Sequence, residues 1–357
     1  MKVLWAAADY ERELNTSLLR CVFPSRLLYD RLGYQSSIIH IPRLLPPPDK
    51  QSPEVRAAVE EADVIVIERI LAHSILERIP EWKAMGKRVI ATFDDAYHLI
   101  PPEGLESYST WRGGSEAVVG KMIDGTDVKG SILNQFRRGL GLVDAAMVPS
   151  KLLADDYRQY CPDIRYIPNF IDPELYKDVR PRPRDGNTVI GWGGSSAHVG
   201  GWTGSGLPQA LGTICRKYPR VSFHIQASDK RILSMLDKAK VRYEAAGWVP
   251  FYQWPHVVGS WDLYVAPLSG AYDFRRSALK CVEAGMARIP WIATDAEPYQ
   301  DAKGGILVEN KSENWARAIS YMIDSPGGRM VFAEEGYEWA MRQREIALGL
   351  YQNILEG

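Results

Sequence analysis

Two successive runs of strand–helix alternation, parted by a segment rich in proline and arginine, constrain this chain more than any other feature. Short β-rich apolar runs recur at helix-length intervals: VLWAAA at 3–8, SSIIHI at 36–41, DVIVIE at 63–68, RVIATF at 88–93 and AAMVPS at 145–150. After DVRPRPRDGN at 178–187 the pattern starts afresh with TVIGWG at 188–193, VSFHIQA at 221–227, DLYVAPL at 262–268, PWIATD at 290–295 and GILVEN at 305–310. Strands that alternate with helices build parallel α/β sheets, and the linker-like composition marks a boundary near residue 180. A chain of 357 residues is also too long for one ordinary domain.

The expected architecture is therefore α/β, with two Rossmann-like domains facing across a cleft and function in that cleft. The apolar spacing of EEGYEWAMRQREIALGLYQNIL at 334–355 predicts one long terminal helix. The domains are expected at 1–178 and 179–333, with the helix of 334–357 packing back toward the first.

Composition narrows the function classes. A formal net charge of -1 argues against a general polyanion binder. The four cysteines, Cys21, Cys161, Cys215 and Cys281, show no CxxC spacing, so neither a zinc site nor a disulfide framework is expected and a reducing cytoplasm is the simpler setting. No stretch approaches the ~20 apolar residues of a membrane span, so any membrane contact is expected to be peripheral.

Three places carry candidate chemistry. In SALKCVEAGMARIPWIATD, Arg275 and Arg276 precede Lys280 and Glu283, which stand three apart and share a helix face. Cations near a helix start suit phosphate, and a carboxylate further in can accept from vicinal hydroxyls. Taken alone, the Lys280–Glu283 pair reads better as a solvated salt bridge. The turn GWGGSSAHVGGWTGSG at 191–206 can bring backbone N–H groups to phosphate, yet its spacing is neither GxGxxG nor a P-loop. Asp94 and Asp95 end a buried strand, where they suit acceptor hydroxyls, proton transfer, a metal or simply a turn, and His98 shares that ambiguity.

Four segments in order then resemble the GT-B glycosyltransferases, specifically the large retaining group of bacterial and phage enzymes. GKRVIATFDDAYHLIP resembles the first-domain strand with its acidic pair, AAMVPSKLLADDY the next strand, YIPNFIDPELY the "PNG-(I/V)-D" turn, and TVIGWGGSSAH the opening of the second domain. SALKCVEAGMARIPWIATD resembles the family's "K-x-x-E-x-x-A-x-G-x-P" nucleotide site.

The resemblance implies transfer of a sugar from a nucleotide diphosphate sugar, with UDP or GDP as nucleotide, to an acceptor hydroxyl. It implies a donor site in the second domain and an acceptor side in the first. Glu283 then accepts from the ribose; Lys280 and Arg275 or Arg276 face the diphosphate; Gly193, Gly194, Ser195 and Ser196 border it, while His198, which has no carboxylate beside it in sequence, reads as structural or as a sugar contact. The nucleobase lies against Trp248, Val249 and Phe251, and Asp273 and Phe274 stand near the sugar. Arg20 reaches for the leaving diphosphate or forms a surface ion pair, and Asp94 is a catalytic candidate on the acceptor side with Glu11, Glu13 and Asn15 nearby.

The chain departs from the pattern at Arg275, where relatives carry a glutamate, which leaves Asp273 as a possible substitute for holding the sugar. It departs again at Phe170 and at Arg288–Ile289, where a turn must form without glycine. Segment 103–137, containing Trp111 and Gly113–Gly114, lacks the strand pattern around it and is expected to help choose the acceptor: a glycan, a lipid carrier, a protein or a modified DNA base. RPRPR at 180–184 and QFRRG at 135–139 hint at the basic groove that the last would need. No metal and no cofactor beyond the co-substrate are expected, and retention of configuration follows from the resemblance alone. The alternatives are an epimerase or hydrolase of the same architecture and a non-catalytic nucleotide-sugar binding protein.

Overall fold

In the computed structural model, which describes residues 1–9, 15–102, 105–112, 118–121, 127–129, 131–180, 186–226 and 229–357, the chain divides into two compact units. The first comprises Met1–Asn169 together with Glu345–Gly357, and the second comprises Phe170–Arg344.

The first unit is built on β1 (Lys2–Ala7), β2 (Gln35–His40), β3 (Val64–Glu68), β4 (Arg88–Thr92), β7 (Ala145–Val148) and β8 (Ile164–Tyr166). A separate antiparallel pair, β5 (Val118–Lys121) and β6 (Asp127–Lys129), lies between β4 and β7 in the chain. The sheet order is β2-β1-β3-β4-β7-β8, all parallel. Strands covered on both faces read as continuous apolar runs, and β3, β4 and β7 are buried almost end to end. After β1 the chain goes to one side for β2 and to the other for β3. This reversal puts a ligand-receiving position at the carboxyl ends of β1 and β3.

The second unit repeats the plan with β9 (Thr188–Gly193), β10 (Val221–Gln226), β11 (Tyr243–Ala246), β12 (Leu263–Ala266), β13 (Trp291–Thr294) and β14 (Gly305–Val308), in the order β11-β10-β9-β12-β13-β14. Its reversal lies between β9 and β12. Trp192, Trp202, Trp261, Trp291 and Trp315 are fully buried in its core.

One helix, Pro326–Glu356, closes the chain. Gly336 does not interrupt it. Its last turns complete the first unit: Tyr351, Ile354 and Leu355 are buried, Tyr351 meets Trp5 edge-on with ring centroids 6.2 Å apart, and Arg31 grips Glu345 with two hydrogen bonds of 2.7 and 2.8 Å.

Segment 103–137 holds more regular structure than its composition suggested. Its described residues include the helix Leu105–Arg112, both strands of the β5–β6 pair and the start of the helix Ile132–Leu140, whose N-cap Ser131 accepts from the Asn134 N–H at 3.2 Å. Trp111 stacks on Tyr97 at 3.6 Å between centroids. Gly113, Gly114, Glu11, Glu13, the side chain of Asn15 and residues 181–184 lie outside the described residues. No helix among the described residues is long and apolar enough to cross a membrane. All four cysteines are buried and unpaired with one another.

Candidate functional site

In the second unit, the turn leaving β9 and the segment leaving β12 come together at the sheet's reversal. Gly194 N–H donates to the carbonyl of Gln226 at 3.2 Å, and Ser195 caps a short 3-10 turn, Ser196–His198, that leads into the helix Val199–Gly204. Ser195 and Ser196 are exposed on this turn. The helix approaches the β12 segment closely. A Cβ on Gly201 would stand 2.6 Å from the Pro267 carbonyl oxygen, and one on Gly204 would stand 2.1 Å from Ser269 Oγ. Part of the glycine richness therefore serves packing rather than anion binding.

Lys280 and Glu283 sit on the helix Leu279–Met286, but they do not pair with each other. Lys280 Nζ donates to the Gly193 carbonyl at 2.5 Å and to Tyr264 Oη at 3.5 Å, and it lies over the Trp192 and Tyr264 rings. Burial brings its ammonium down to about 8. Glu283, 6% exposed, accepts from Tyr264 Oη at 3.0 Å. Burial raises its carboxyl while Lys280, Tyr264 and Trp254 work in the opposite direction. The surface salt bridge that the spacing alone favoured is absent. Both side chains turn inward toward the ends of β9 and β12.

Arg276 joins Lys280 at this end. Its Nε donates to Asp273 Oδ1 and its Nη2 to the Ala197 carbonyl, each at 3.2 Å, so it ties the Ser196–His198 turn to the β12 segment. His198 packs edge-on against Trp192 with its Nδ1 buried and without a partner. Burial first, and then Arg276 and Lys280, hold its imidazole well below the usual range, so it is neutral. Arg275 is half-buried and donates to the Ala271 carbonyl at 3.2 Å, and Phe274 is half-buried beside it.

Asp273 is 2% exposed, with Oδ2 accepting from Ser269 N–H at 3.1 Å and Oδ1 from Arg276. Trp248, 73% exposed, Val249 and Phe251 follow β11. Gln226 links that segment to the turn leaving β9, since its carbonyl takes Gly194 N–H and its side-chain amide donates to the Gly247 carbonyl.

In the first unit a second polar cluster occupies the ends of β1, β3 and β4. Glu68, 0% exposed, accepts through Oε2 from Ala8 N–H at 2.9 Å and from the Ser17 hydroxyl, and its Oε1 has no partner. Asp9 pairs with Arg69 at 2.5 Å. Asp94 is half-buried, and no described residue hydrogen-bonds to its carboxylate or pairs with it. Burial and the adjacent Asp95 push it up to about 7. His98 faces away from this cluster, with Nδ1 at 3.0 Å from Tyr157 Oη and Nε2 at 3.1 Å from Asp156.

Arg20 is neither a surface ion-pair residue nor a free cation. It is 0% exposed, on a π-helical segment, Leu18–Val22, and binds Thr92 Oγ1 at 2.9 Å, Asn169 Oδ1 at 3.1 Å, the Met147 carbonyl at 3.2 Å and the Ile167 carbonyl at 3.4 Å. A guanidinium spread over that many acceptors is a strut between strand ends.

Solved structures share this architecture. Sucrose-phosphate synthase from Thermosynechococcus elongatus matches with a TM-score of 0.66 and 14% identity, over 99% of this chain and 98% of that one. Anabaena HepE, crystallised in complex with UDP and glucose, matches with a TM-score of 0.62 and 13% identity over 99% of both. The chain has the GT-B fold. A UDP-GlcNAc 2-epimerase from Neisseria meningitidis, bound to UDP-GlcNAc, also matches, with a TM-score of 0.53, 11% identity and complete coverage of both chains. No protein-family model matches the sequence, and no curated protein does.

Within this GT-B chain, Tyr264, Trp254, Gln226, Glu68 and Arg69 belong to the two clusters and were not found from sequence. Only the last two left a trace: DVIVIE ends a buried strand on a carboxylate, and an arginine follows at once.

Proposed function

We propose that this protein is a glycosyltransferase that moves a sugar from a nucleotide diphosphate sugar to an acceptor hydroxyl. The observation that carries the proposal is the convergence of Lys280, Arg276 and neutral His198 on the turn that leaves β9, at the reversal of the second sheet. Fixed positive charge at that place stabilises the diphosphate as its bond to the anomeric carbon breaks, and such electrostatic help is the largest ordinary source of catalysis. Lys280 retains its proton at neutral pH, and a bound diphosphate holds that proton more firmly.

Glu283 receives the ribose hydroxyls in this reading, braced by Tyr264, and the segment from Trp248 to Phe251 receives the base. Arg275 stands near the sugar. In the first unit, Asp94 takes the proton that the acceptor hydroxyl gives up, its carboxylate being half-buried and uncommitted to any described partner. No cofactor or metal enters the reaction. That reading, like retention of configuration, rests on the family resemblance. UDP is the first nucleotide to try, because the HepE and epimerase structures that share the fold hold UDP or UDP-GlcNAc.

A calorimetric screen of UDP, GDP, ADP and their sugars tests the donor assignment: micromolar binding of one nucleotide family is expected, and no binding of any would defeat it. The matching epimerase supports a second reading, in which the free donor is isomerised. Incubating the preferred donor without acceptor separates the two, since an epimerase changes its sugar and a transferase leaves or slowly hydrolyses it. A non-catalytic binder does neither, even with acceptor present.

A further inference from the structure

We infer that His224 is a positioning residue for Glu283, acting through the Trp261 indole and the two rings packed on it; the inference rests on the reading of Glu283 as the ribose acceptor given above. Two glycines of β9 make the arrangement possible. Gly191 and Gly193 stand two apart in a strand and so present the same face of the sheet. A Cβ on Gly191 would fall within the Trp261 indole, and one on Gly193 would collide with the Trp254 ring. The two indoles that fill this space meet edge-on, with centroids 5.6 Å apart.

Strand register brings the other members to the same place. His224 of β10 and Tyr264 of β12 both pair with Gly191, one on each side of it. Trp261, 2% exposed, reaches both: its Nε1 donates to His224 Nδ1 at 2.8 Å, and its ring meets Tyr264 edge-on with centroids 5.1 Å apart. An indole N–H only donates, so His224 Nδ1 must offer a lone pair, which places the imidazole's single proton on Nε2. Burial favours this neutral form, while Glu244, its register partner on β11, works against it. Ring packing sets where an indole lies, and the hydrogen bond to His224 sets which edge it turns toward Tyr264 and Trp254. Tyr264 carries its hydroxyl to Glu283 Oε2 at 3.0 Å, and Trp254, on the helix Trp254–Gly259, faces the same carboxylate. One buried imidazole therefore orients the indole against which both of Glu283's aromatic partners rest.

Indole N–H NMR of the whole chain tests this without any nucleotide, with Trp261→Phe and Trp254→Phe used to assign the two resonances. His224→Phe keeps a ring and removes the acceptor. In it the Trp261 N–H is expected to move upfield, as a lost hydrogen bond dictates, and the Trp254 N–H to move with it. His224→Asn sets a carbonyl oxygen near the place of Nδ1 and is expected to return both resonances toward their original positions. An unmoved Trp254 resonance in folded His224→Phe overturns the inference, because His224 then anchors Trp261 and nothing beyond it. An Asn variant that behaves like Phe overturns it too. With the preferred nucleotide in hand, His224→Phe should weaken binding by roughly 3- to 10-fold, the usual effect of one ordinary hydrogen bond. That loss should disappear when Glu283→Ala is already present, since coupled residues do not add. A purely structural His224 lowers the urea midpoint alike in both backgrounds and leaves affinity unmoved, and an equal affinity loss in both also overturns the inference. Failure of the donor screen leaves the NMR result standing, so the two readings fail separately.

Discussion

At the scale of single residues, the decisive finding is that Lys280 and Glu283 turn away from each other. Lysine and glutamate three apart normally pair on a helix surface for a few tenths of a kcal/mol. Here Lys280 goes to the Gly193 carbonyl and Glu283 to Tyr264. Neither partner was readable, because both arrive through tertiary packing of β9 and β12. The motif located the helix; the sheet's reversal determined what its side chains meet. If Glu283 holds ribose, Glu283→Ala should weaken nucleotide binding by roughly 10-fold or more, about the worth of one charge-assisted hydrogen bond. Titration calorimetry with the preferred nucleotide measures this, and unchanged affinity removes the assignment. A pH dependence follows as well. Lys280 loses its proton as pH rises through about 8, so nucleotide-sugar affinity should fall by about 10-fold between pH 7 and pH 9.5. The diphosphate of a nucleotide sugar does not titrate there, and Lys280→Met should bind weakly at both pH values with little slope between them.

At the scale of elements, the ten strand-like runs of the sequence all became strands, shifted or shortened by a few residues at most. Most are apolar and buried along their length, whereas β2, at a sheet edge, is largely exposed and was marked by its isoleucines alone. The strands that escaped detection are β8 and β11, at the sheet edges, and the β5–β6 pair. IRY and YEAA are short, and β11 is largely exposed, so neither length nor hydrophobicity separates them from loop. The turn after the helix Leu279–Met286 shows how one departure from a family pattern is accommodated. Arg288 takes the place of glycine with φ of 54°, and its guanidinium stacks 3.7 Å from the Tyr337 ring centroid and pairs with Glu334 on the terminal helix. Side-chain contacts thus offset backbone strain. Nearby, two glycines face each other unequally. A Cβ on Gly285 would stand 2.4 Å from the Gly336 carbonyl oxygen, whereas one on Gly336 meets nothing closer than 3.4 Å. Gly285→Ala should therefore cost about 1–3 kcal/mol, and Gly336→Ala should be neutral or stabilise the helix by up to about 1 kcal/mol. Urea melts of the two variants decide this, and equal effects would mean that the helices pack differently.

At the scale of the whole molecule, the first unit is discontinuous and the second is not. Tyr351 against Trp5, Arg88 Nε on the Ile354 carbonyl at 3.2 Å, and buried Ile354 and Leu355 make Glu345–Gly357 part of the first unit's core. Tyr351→Ala should cost about 3–5 kcal/mol, the usual result of emptying a buried aromatic site. A fragment of residues 1–169 should melt well below the same fragment supplied with a 345–357 peptide, as circular dichroism would register. The alternation of strands announced two sheets, but periodicity along one segment cannot say which sheet a terminal helix will cover. Synthesis adds a consequence of its own. The ribosome finishes the first unit's strands early, yet the residues that seal them emerge only after the whole second unit. The half made first is completed last, and a nascent chain paused before residue 345 presents the Trp5 side of its first core to chaperones and proteases.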